Sequence, residues 1–492
     1  MTYPERPGFP AREACRTGRV GVFAIGHHIY WPQFPGLEEK LLQHYGYFLE
    51  RLSREAQATV VPIEGLVDDS WKAVEAGNRL AREQVDLVIC FVATYSPSAN
   101  ALPVVQRAGA PLVLAGLQPS AAMDYPRART EIQLENDNVT SMPEISGALA
   151  RAGQRPADCV VGMLYEDERA WSRLRDWCQV ATVRHELRNA RIGLMGHVYE
   201  GMLDMSSDPT MFDAHFGMHV ERLELDDLHE RVAAVTDAEV RAKLEEIHTI
   251  FTFPEPGADP IAGPVDPRDL EWSARVACGL ERLVRDFKLS GLAYYYRGLN
   301  ANANERLAAA LIVGNSILTG RGVPVAGELD LKNCVAMLIL DRMGIGGSFA
   351  EFHPVDFAED FVLVGHDGPA HIAIADGQPV LRGLSVYHGK RGAGVSVEFK
   401  VKTGPITLLG LTQTAAGEFK MVVADGESLA GPIPATGNTN TRGRFQPDVR
   451  TFLERWCMEG PTHHFALGIT HAARRLERLG RALKIETVRV TP

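Results

Sequence analysis

Short apolar runs alternate with amphipathic helical patterns from about residue 18 of the chain. The apolar runs are typical of strands, and the longer segments repeat apolar positions at helical spacing. Because strands separated by helices need crossover connections, this pattern predicts a parallel, doubly wound sheet. The predicted strands are RVGVFAIG, TVVPIEG, VDLVICFVA and APLVLAG, and the predicted helices are LEEKLLQHYGYFLERLSREA and DSWKAVEAGNRLAREQ.

A break containing Gly and Pro near residues 153–157 favours a domain boundary, after which a second alternating unit begins. We therefore expect an N-terminal α/β domain over residues 1–155 and a central one over residues 156–340. The central domain is predicted from the strands ARIGLMGHV and LSGLAYYY, a long polar helix near 226–250, and the helices RDLEWSARVACGLERLVRDF and ERLAAALIVGNSILTG.

Beyond about residue 345 the pattern changes to short β-type runs separated by Gly, Asp and Lys-Thr-Gly turns. Such spacing predicts an antiparallel β barrel or sandwich over residues 341–492. One helix, THAARRLERLGRALK, and a last strand, IETVRV, follow. The β-type runs are FVLVGHDG, HIAIADG, VSVEFKVKTG, PITLLGLTQT and FKMVVADG.

The charge balance disfavours some classes of partner. The chain has 62 acidic and 51 basic residues, a net charge of -11, whereas a nucleic-acid-binding surface needs a basic face. No apolar run approaches the roughly 20 residues that span a bilayer, and the N-terminal segment lacks the apolar stretch of a signal peptide. We expect a cytoplasmic protein with neither a nucleic-acid partner nor a membrane.

The seven cysteines are scattered and form no CxxC pair. This usage is typical of a reduced cytoplasm and indicates neither a disulfide framework nor a thiolate zinc site. Any metal must therefore be held by His, Asp and Glu.

Three lone ionisable residues lie beside apolar or glycine-rich sequence: Glu328, Glu351 and His366. An unpaired charge is costly to bury there, and a bound metal would remove that cost. Taken singly, each residue is more often an ordinary loop or core residue. As a set they favour a metal site.

A further signal is the pair His463-His464, which follows a Gly-Pro turn near the C-terminus. Adjacent side chains point in different directions, so we expect at most one of the two to bind the metal and the other to support it or contact a substrate. Two carboxylates and two imidazoles suit Mn, Co, Mg or Zn, and such a centre suits enolisation of a carbonyl compound.

Together with the residues above, several short stretches make the sequence resemble the L-arabinose isomerase and L-fucose isomerase superfamily over nearly the whole chain. The resemblance to the arabinose branch is the stronger one. The resemblance implies that Glu328, Glu351, His366 and His464 bind Mn²⁺ and that the two glutamates act as acid and base. The stretches that carry it are Val325-Ala-Gly-Glu328-Leu-Asp330, Gly347-Ser-Phe-Ala-Glu351, Phe361-Val-Leu-Val-Gly-His366, Lys402-Thr-Gly-Pro405 and Gly460-Pro-Thr-His-His464.

The same resemblance implies two Rossmann-like doubly wound α/β domains followed by a C-terminal antiparallel β barrel. It also implies a sugar substrate, Mn²⁺ or another divalent metal such as Co²⁺ or Mg²⁺, and a homo-oligomer, either a hexamer or a tetramer, with active sites at subunit interfaces. The leading hypothesis is a metal-dependent aldose-ketose isomerase that acts on a monosaccharide through an enediol.

Several positions that the resemblance assigns to the substrate pocket depart from the arabinose pattern. His27 stands where arabinose isomerases usually have glutamine, Phe352-His353 follows Glu351 in place of Asp-Tyr, and the segment over 196–208 does not match. We therefore expect L-arabinose to be a poor substrate. The candidate substrate-binding residues are His27, His28, Gln118, Met202, His353 and His463.

Two alternatives stay open at the level of sequence. One is a metal-dependent epimerase, lyase or hydrolase on another polyol, keto-sugar or keto acid; for a keto acid, Arg297 is a candidate carboxylate-binding residue. The other is a non-catalytic sugar-binding protein, because two α/β halves alone resemble periplasmic binding domains.

Overall fold

The computed structural model describes residues 15–253, 262–296, 302–387 and 390–492, except for the side chains of residues 384–393. The described chain divides into two compact units. The first comprises Cys15–Glu186 with Arg481–Leu483, and the second comprises Leu187–Gly480 with Lys484–Pro492.

The first unit is built on a parallel five-stranded sheet in the order β2-β1-β3-β4-β5. Its helices connect successive strands, which confirms the parallel α/β architecture predicted from the alternating pattern. The strands are β1 Arg19–Ile25, β2 Thr59–Val67, β3 Leu87–Val92, β4 Leu112–Gln118 and β5 Asp158–Met163. The helices are α1 Leu37–Glu55, α2 Ser70–Arg82, α3 Leu102–Ala108, α4 Thr130–Glu135, α5 Ser141–Arg151 and α6 Glu168–Arg188.

The expected boundary at residue 155 falls inside this first unit. Strand β5 pairs with β4 along its length, from Asp158 opposite Val113 to Met163 opposite Gln118. The Gly/Pro break is thus the connection between α5 and β5, where Gly153 adopts φ +72°. A connection within a unit and a linker between domains share this composition, because both require a turn.

The second unit begins with a parallel four-stranded sheet in the order β10-β9-β6-β7. A separate short strand, β8 (Ala262–Gly263), joins a different sheet. The sheet strands are β6 Arg191–Gly196, β7 His219–Leu223, β9 Gly291–Tyr295 and β10 Val325–Ala326. The helices are α7 Pro209–Phe216, α8 Leu225–Ala233, α9 Asp237–Ile250, α10 Pro267–Phe287, α11 Ala303–Ala308, α12 Leu311–Gly320 and α13 Leu331–Arg342.

Two helical features of this unit differ from the pattern. The single polar helix expected near 226–250 is two helices, because the Thr236 hydroxyl and the Glu239 carboxylate form a capping box that begins α9. Helix α13 has no amphipathic signature, since every residue from 331 to 341 is buried. A helix buried on all sides lacks the polar stripe that reveals a helical period.

The C-terminal part of the second unit closes into a six-stranded antiparallel barrel in the order β15-β18-β11-β12-β17-β16, with β16 pairing back to β15. This confirms the predicted barrel, and β19 (Glu486–Arg489) adds to β16 in parallel. The barrel strands are β11 Gly346–Asp356, β12 Phe361–His366, β15 Gly404–Gln413, β16 Phe419–Leu429, β17 Thr439–Phe445 and β18 Phe465–Ile469.

The remaining elements of this part of the chain lie between the barrel strands or after them in the sequence. Strands β13 (Val380–Tyr387) and β14 (Lys390–Glu398) form an antiparallel sheet with β8. Helices α14 (Val449–Met458) and α15 (Ala473–Leu483) complete the chain. The run HIAIADG is a short 3₁₀ helix over Ile372–Ile374 and not the expected strand, because so short an apolar alternation does not separate the two conformations.

One hydrophobic core runs from helices α9, α10 and α12 into the barrel, and it includes Ile247, Ala274, Ile317, Val364 and Phe465. The barrel and these helices are therefore stabilised together. None of the helices in the described ranges is both long enough and apolar enough to cross a membrane.

Candidate metal centre

Three of the predicted metal-binding residues lie on or next to neighbouring barrel strands. Glu351 of β11 pairs with Gly365 of β12, which places it beside His366 at the end of that strand. His464 directly precedes β18, whose first residue, Phe465, pairs with Ala350 of β11. Strand pairing therefore brings these three side chains to one region of the barrel.

Glu328 reaches the same region from a strained turn after β10. Glu328 and Leu329 adopt φ +56° and +58°, values that residues other than glycine seldom take. The turn is fixed because the Leu329 N–H donates to the Tyr294 carbonyl (2.9 Å) and the Asp330 N–H donates to the Gly327 carbonyl (3.0 Å). Backbone strain of this kind concentrates at functional sites.

The four residues and His463 form a cluster of donor atoms. Glu328 Oε2 lies 3.5 Å from His464 Nε2 and 3.9 Å from His463 Nε2, and Glu351 Oε1 lies 3.7 Å from His366 Nε2. Two triads could each hold a metal, with donor atoms within 4.8 Å of one another: Glu328, His366 and His464, or Glu351, His463 and His464. His464 belongs to both triads.

Two donor atoms of this cluster are buried without a partner. Glu328 Oε2 and His464 Nε2 have no hydrogen-bond partner among the residues that the structure describes. A buried polar atom left unpaired costs free energy, and a cation at this point would satisfy both atoms. The mixed carboxylate and imidazole set therefore fits a divalent metal.

The charges of the cluster favour an ionised Glu328. Burial alone would raise the pKa of Glu328, but His463, His464 and His366 around it outweigh burial and leave that pKa below its usual value. Burial lowers the pKa of His366, yet Asp367, Glu351 and Glu328 outweigh it, so the pKa of His366 is raised.

A carboxylate lies on the Nδ1 side of each of the three histidines. His464 Nδ1–H donates to Asp330 Oδ2 at 3.1 Å, and His463 Nδ1–H donates to Asp204 Oδ2 at 2.7 Å. Asp367 Oδ1 lies 3.0 Å from Nδ1 of His366. Such carboxylates fix the ring orientation and leave Nε2 for a metal or a substrate.

Sequence reasoning missed all three carboxylates. Asp330 and Asp367 gave a local signal, since each follows a candidate ligand within two residues. Asp204 gave none, because 259 residues separate it from His463. Asp330 also caps α13 by accepting from the Asn333 N–H at 2.9 Å, so helix capping and histidine orientation depend on one side chain.

His366 and His464, the two least exposed histidines of the cluster, differ in charge preference. Burial lowers the pKa of His464, which favours the neutral imidazole that binds metals. Phe349 packs against both rings, with its centroid 4.5 Å from that of His366 and 4.4 Å from that of His464. Phe349 therefore forms an apolar wall beside the donor atoms.

Three of the predicted substrate-binding residues belong to this second unit. His463 lies between Asp204 and Glu328, and their charges raise its pKa to about 9 although burial opposes the shift. His353 lies two residues after Glu351 on β11, its Nε2 is buried without a partner among the described residues, and burial lowers its pKa. Met202 is half-buried and lies two residues before Asp204.

The other three belong to the first unit, at the carboxyl ends of its parallel strands. His27 and His28 follow β1, where the His27 ring packs edge-on against Tyr30 with centroids 5.1 Å apart. Gln118 ends β4. Ligands of doubly wound sheets bind at this edge. Arg297 lies outside the described residues.

The fold and the site together define an α/β and β-barrel protein with a carboxylate-histidine centre at the barrel. Residues 346–486 match the family model described as the L-arabinose isomerase C-terminal domain. The match covers the barrel together with α14 and α15, and the chain is similar to L-arabinose isomerases over a longer stretch.

Individual relatives extend the similarity beyond the barrel. The chain is 26% identical over 412 residues to the L-arabinose isomerase of Nocardioides sp. strain JS614, which covers 82% of this chain and 80% of that protein. It is 23% identical over 455 residues to the L-arabinose isomerases of Shigella dysenteriae serotype 1 and Escherichia coli O157:H7, which covers 90% of this chain and 88% of each relative.

Proposed function

We propose that this protein is an enzyme, a metal-dependent aldose-ketose isomerase that acts on a monosaccharide. The observation that carries the proposal is that Glu328, Glu351, His366 and His464 lie in one region of the barrel, where Glu328 Oε2 and His464 Nε2 are buried without a hydrogen-bond partner among the described residues. The relatives named L-arabinose isomerase support the reaction class, since the chain aligns with them over most of its length.

Mn²⁺, or another divalent metal such as Co²⁺ or Mg²⁺, held by these four residues would polarise the sugar carbonyl and its neighbouring hydroxyl. The protein supplies the remaining parts. Asp330 and Asp367 orient the two ligand histidines, and Phe349 limits the access of water from one side. Exclusion of water strengthens each charge interaction within the centre.

The two glutamates carry the proton transfer. One carboxylate takes the proton from C2 of the open-chain aldose, the electron pair of the C–H bond forms the C1–C2 double bond of an enediol, and the carbonyl oxygen gains a proton from the carboxyl group of the other glutamate. The proton on the first carboxylate then returns to C1, and the O2 hydroxyl gives its proton back to the second carboxylate, which yields the ketose. The ionised state favoured for Glu328 suits the role of base.

We propose His463, His353 and Met202 as substrate contacts near the centre in the second unit. From the resemblance, His27, His28 and Gln118 of the first unit are proposed separately as substrate-binding residues. We also propose that the enzyme is cytoplasmic and works as a homo-oligomer, either a hexamer or a tetramer, with active sites at subunit interfaces. The departures at His27 and His353 favour a sugar other than L-arabinose.

A panel of aldoses and ketoses assayed with Mn²⁺ tests this function. We expect one pentose, hexose or modified sugar to be isomerised with a higher kcat/KM than L-arabinose, and the chelated protein to be inactive. If no sugar of the panel is interconverted by the Mn²⁺-loaded protein, the proposed activity is wrong. If L-arabinose is clearly the best substrate, the departures do not set specificity.

A further inference from the structure

Lys332 is a buried cation close to the candidate metal centre, and the mechanism above gives it no role. It lies in the first turn of α13 and is only 1% exposed. Its Nζ donates to the carbonyl of Ser206 at 3.0 Å. Burying a lysine is unfavourable unless its charge is compensated. Burial lowers the pKa of Lys332, and the charges of Asp330 and Asp204 offset that effect only in part.

Ser206, whose carbonyl accepts from Lys332, directly follows a short 3₁₀ turn. Leu203–Met205 is a single 3₁₀ turn, in which Met205 is fully buried and Asp204 is exposed. The Ser206 N–H closes the turn by donating to the Leu203 carbonyl at 3.4 Å. The lysine therefore ties the turn that carries Asp204 to α13.

Asp204 in turn holds His463 by two hydrogen bonds to one oxygen. Its Oδ2 accepts from the His463 backbone N–H at 2.9 Å and from Nδ1–H at 2.7 Å. With both the backbone and the ring fixed, His463 Nε2 faces Glu328 Oε2 at 3.9 Å. His463 is one member of the second candidate triad.

We propose that Lys332 and Asp204 are positioning residues for the metal centre: Lys332 holds the 203–206 segment against α13, and Asp204 holds His463 facing Glu328. The first turn of α13 then orients both adjacent histidines, since Asp330 in the same region holds His464. The inference rests on the metal-dependent function proposed above.

The test measures metal binding, so it does not depend on identifying the sugar. Asp204→Asn and Lys332→Met should each weaken Mn²⁺ binding about tenfold or more in calorimetric titration, as is usual when a group behind a metal ligand is lost, because His463 would no longer be held facing the ligand Glu328. Both should also change the visible absorption of the Co²⁺-loaded protein, which reports ligand geometry. Asp208→Asn is the matched control, because Asp208 lies in the same loop and only caps α7.

A double-mutant cycle separates positioning from general loosening of the loop. In a His463→Gln background, Asp204→Asn should lower Mn²⁺ affinity much less than it does in the wild type, because only the bond of Asp204 to the backbone N–H of residue 463 remains. Fully additive losses would overturn the inference, as would wild-type Mn²⁺ affinity and an unchanged Co²⁺ spectrum in Asp204→Asn. Asp204 is exposed, so this variant decides the matter even if Lys332→Met does not fold.

The outcomes for the two proposals are distinguishable. If the wild-type protein isomerises no sugar while Asp204→Asn and Lys332→Met still weaken Mn²⁺ binding, the proposed activity is wrong and the positioning role stands. If the wild-type enzyme is active and neither variant changes the metal centre, the positioning role is wrong and the activity stands.

Discussion

Glu328 and Glu351 reach the centre in different ways, one from a left-handed turn and the other from a regular strand. Both are partly buried among imidazoles, where a carboxylate is the group able to carry a proton between carbon atoms. Glu328→Gln and Glu351→Gln should each lower kcat by more than 10²-fold, since Gln keeps an oxygen donor but cannot exchange a proton. Steady-state kinetics and Mn²⁺ titration of each variant measure the two effects separately.

Glu418→Gln serves as the matched control for these variants. Glu418 is exposed in the turn between β15 and β16, so its substitution should leave both turnover and Mn²⁺ binding unchanged. A Glu328→Gln or Glu351→Gln protein that keeps more than a tenth of the wild-type activity would show that its carboxylate is not the acid or base.

The route of the proton is also decided by these two side chains. Turnover in D₂O should place deuterium at the carbon that receives the proton, because a carboxylic acid formed during the reaction exchanges with solvent. Mass spectrometry of the product over many turnovers checks this. Complete retention of a C2 deuterium label, with none gained from solvent, would indicate hydride transfer and remove the acid-base role of both glutamates.

At the level of elements, the pairing of β12 with β17 sets the position of His366. Gly365 precedes this histidine, and a Cβ at Gly365 would overlap the carbonyl oxygen of Thr439 on β17. Gly365→Ala should therefore force the strands apart, destabilise the protein by about 1–3 kcal/mol and weaken Mn²⁺ binding. Urea denaturation and metal titration measure the two effects.

Gly263→Ala is the control for the strand substitution. Gly263 lies in β8, where an added Cβ would meet no atom within 4 Å. The free energy of unfolding of Gly263→Ala should stay within about 0.5 kcal/mol of the wild-type value. Equal stabilities for the two alanine variants would mean that β12 and β17 adjust without strain and that the pairing does not fix His366.

For the whole molecule, metal binding should couple to folding, because its ligands come together only when the barrel and the turn after β10 are both formed. A ligand bound only by the folded state adds about 2.7 kcal/mol at 100 times its dissociation constant. Chelation and dialysis should therefore lower the melting temperature, and Mn²⁺ should restore it. Calorimetric melting of the metal-free and Mn²⁺-loaded protein makes the comparison.

His366→Ala should abolish this Mn²⁺-dependent gain, since His366 offers a donor to the first triad. The variant is compared with wild type at equal Mn²⁺ concentration, so a general loss of stability appears in both the presence and the absence of metal. A melting temperature that chelation leaves unchanged in the wild-type protein would contradict a metal centre coupled to folding.

The sequence by itself determined those features that have a local cause. Apolar runs such as that of β3 predict buried strands because a strand covered on both faces is apolar throughout. Glu328, Glu351 and His366 were candidates because each lies beside apolar or glycine-rich sequence, where an unpaired charge is unfavourable. The choice of His464 from the histidine pair came from the resemblance. The barrel was predictable as a class from its short strands and regular turns.

Tertiary structure decided what depends on residues far apart in sequence. The closure of the barrel requires β15 to pair with both β16 and β18, and β5 completes the first sheet although it follows a linker-like break. Asp204 and His463 are 259 residues apart, so no periodic pattern in the sequence predicts their contact. Local patterns report whether a side chain is buried or exposed, whereas the partner that satisfies a buried charge is chosen only when the chain has folded.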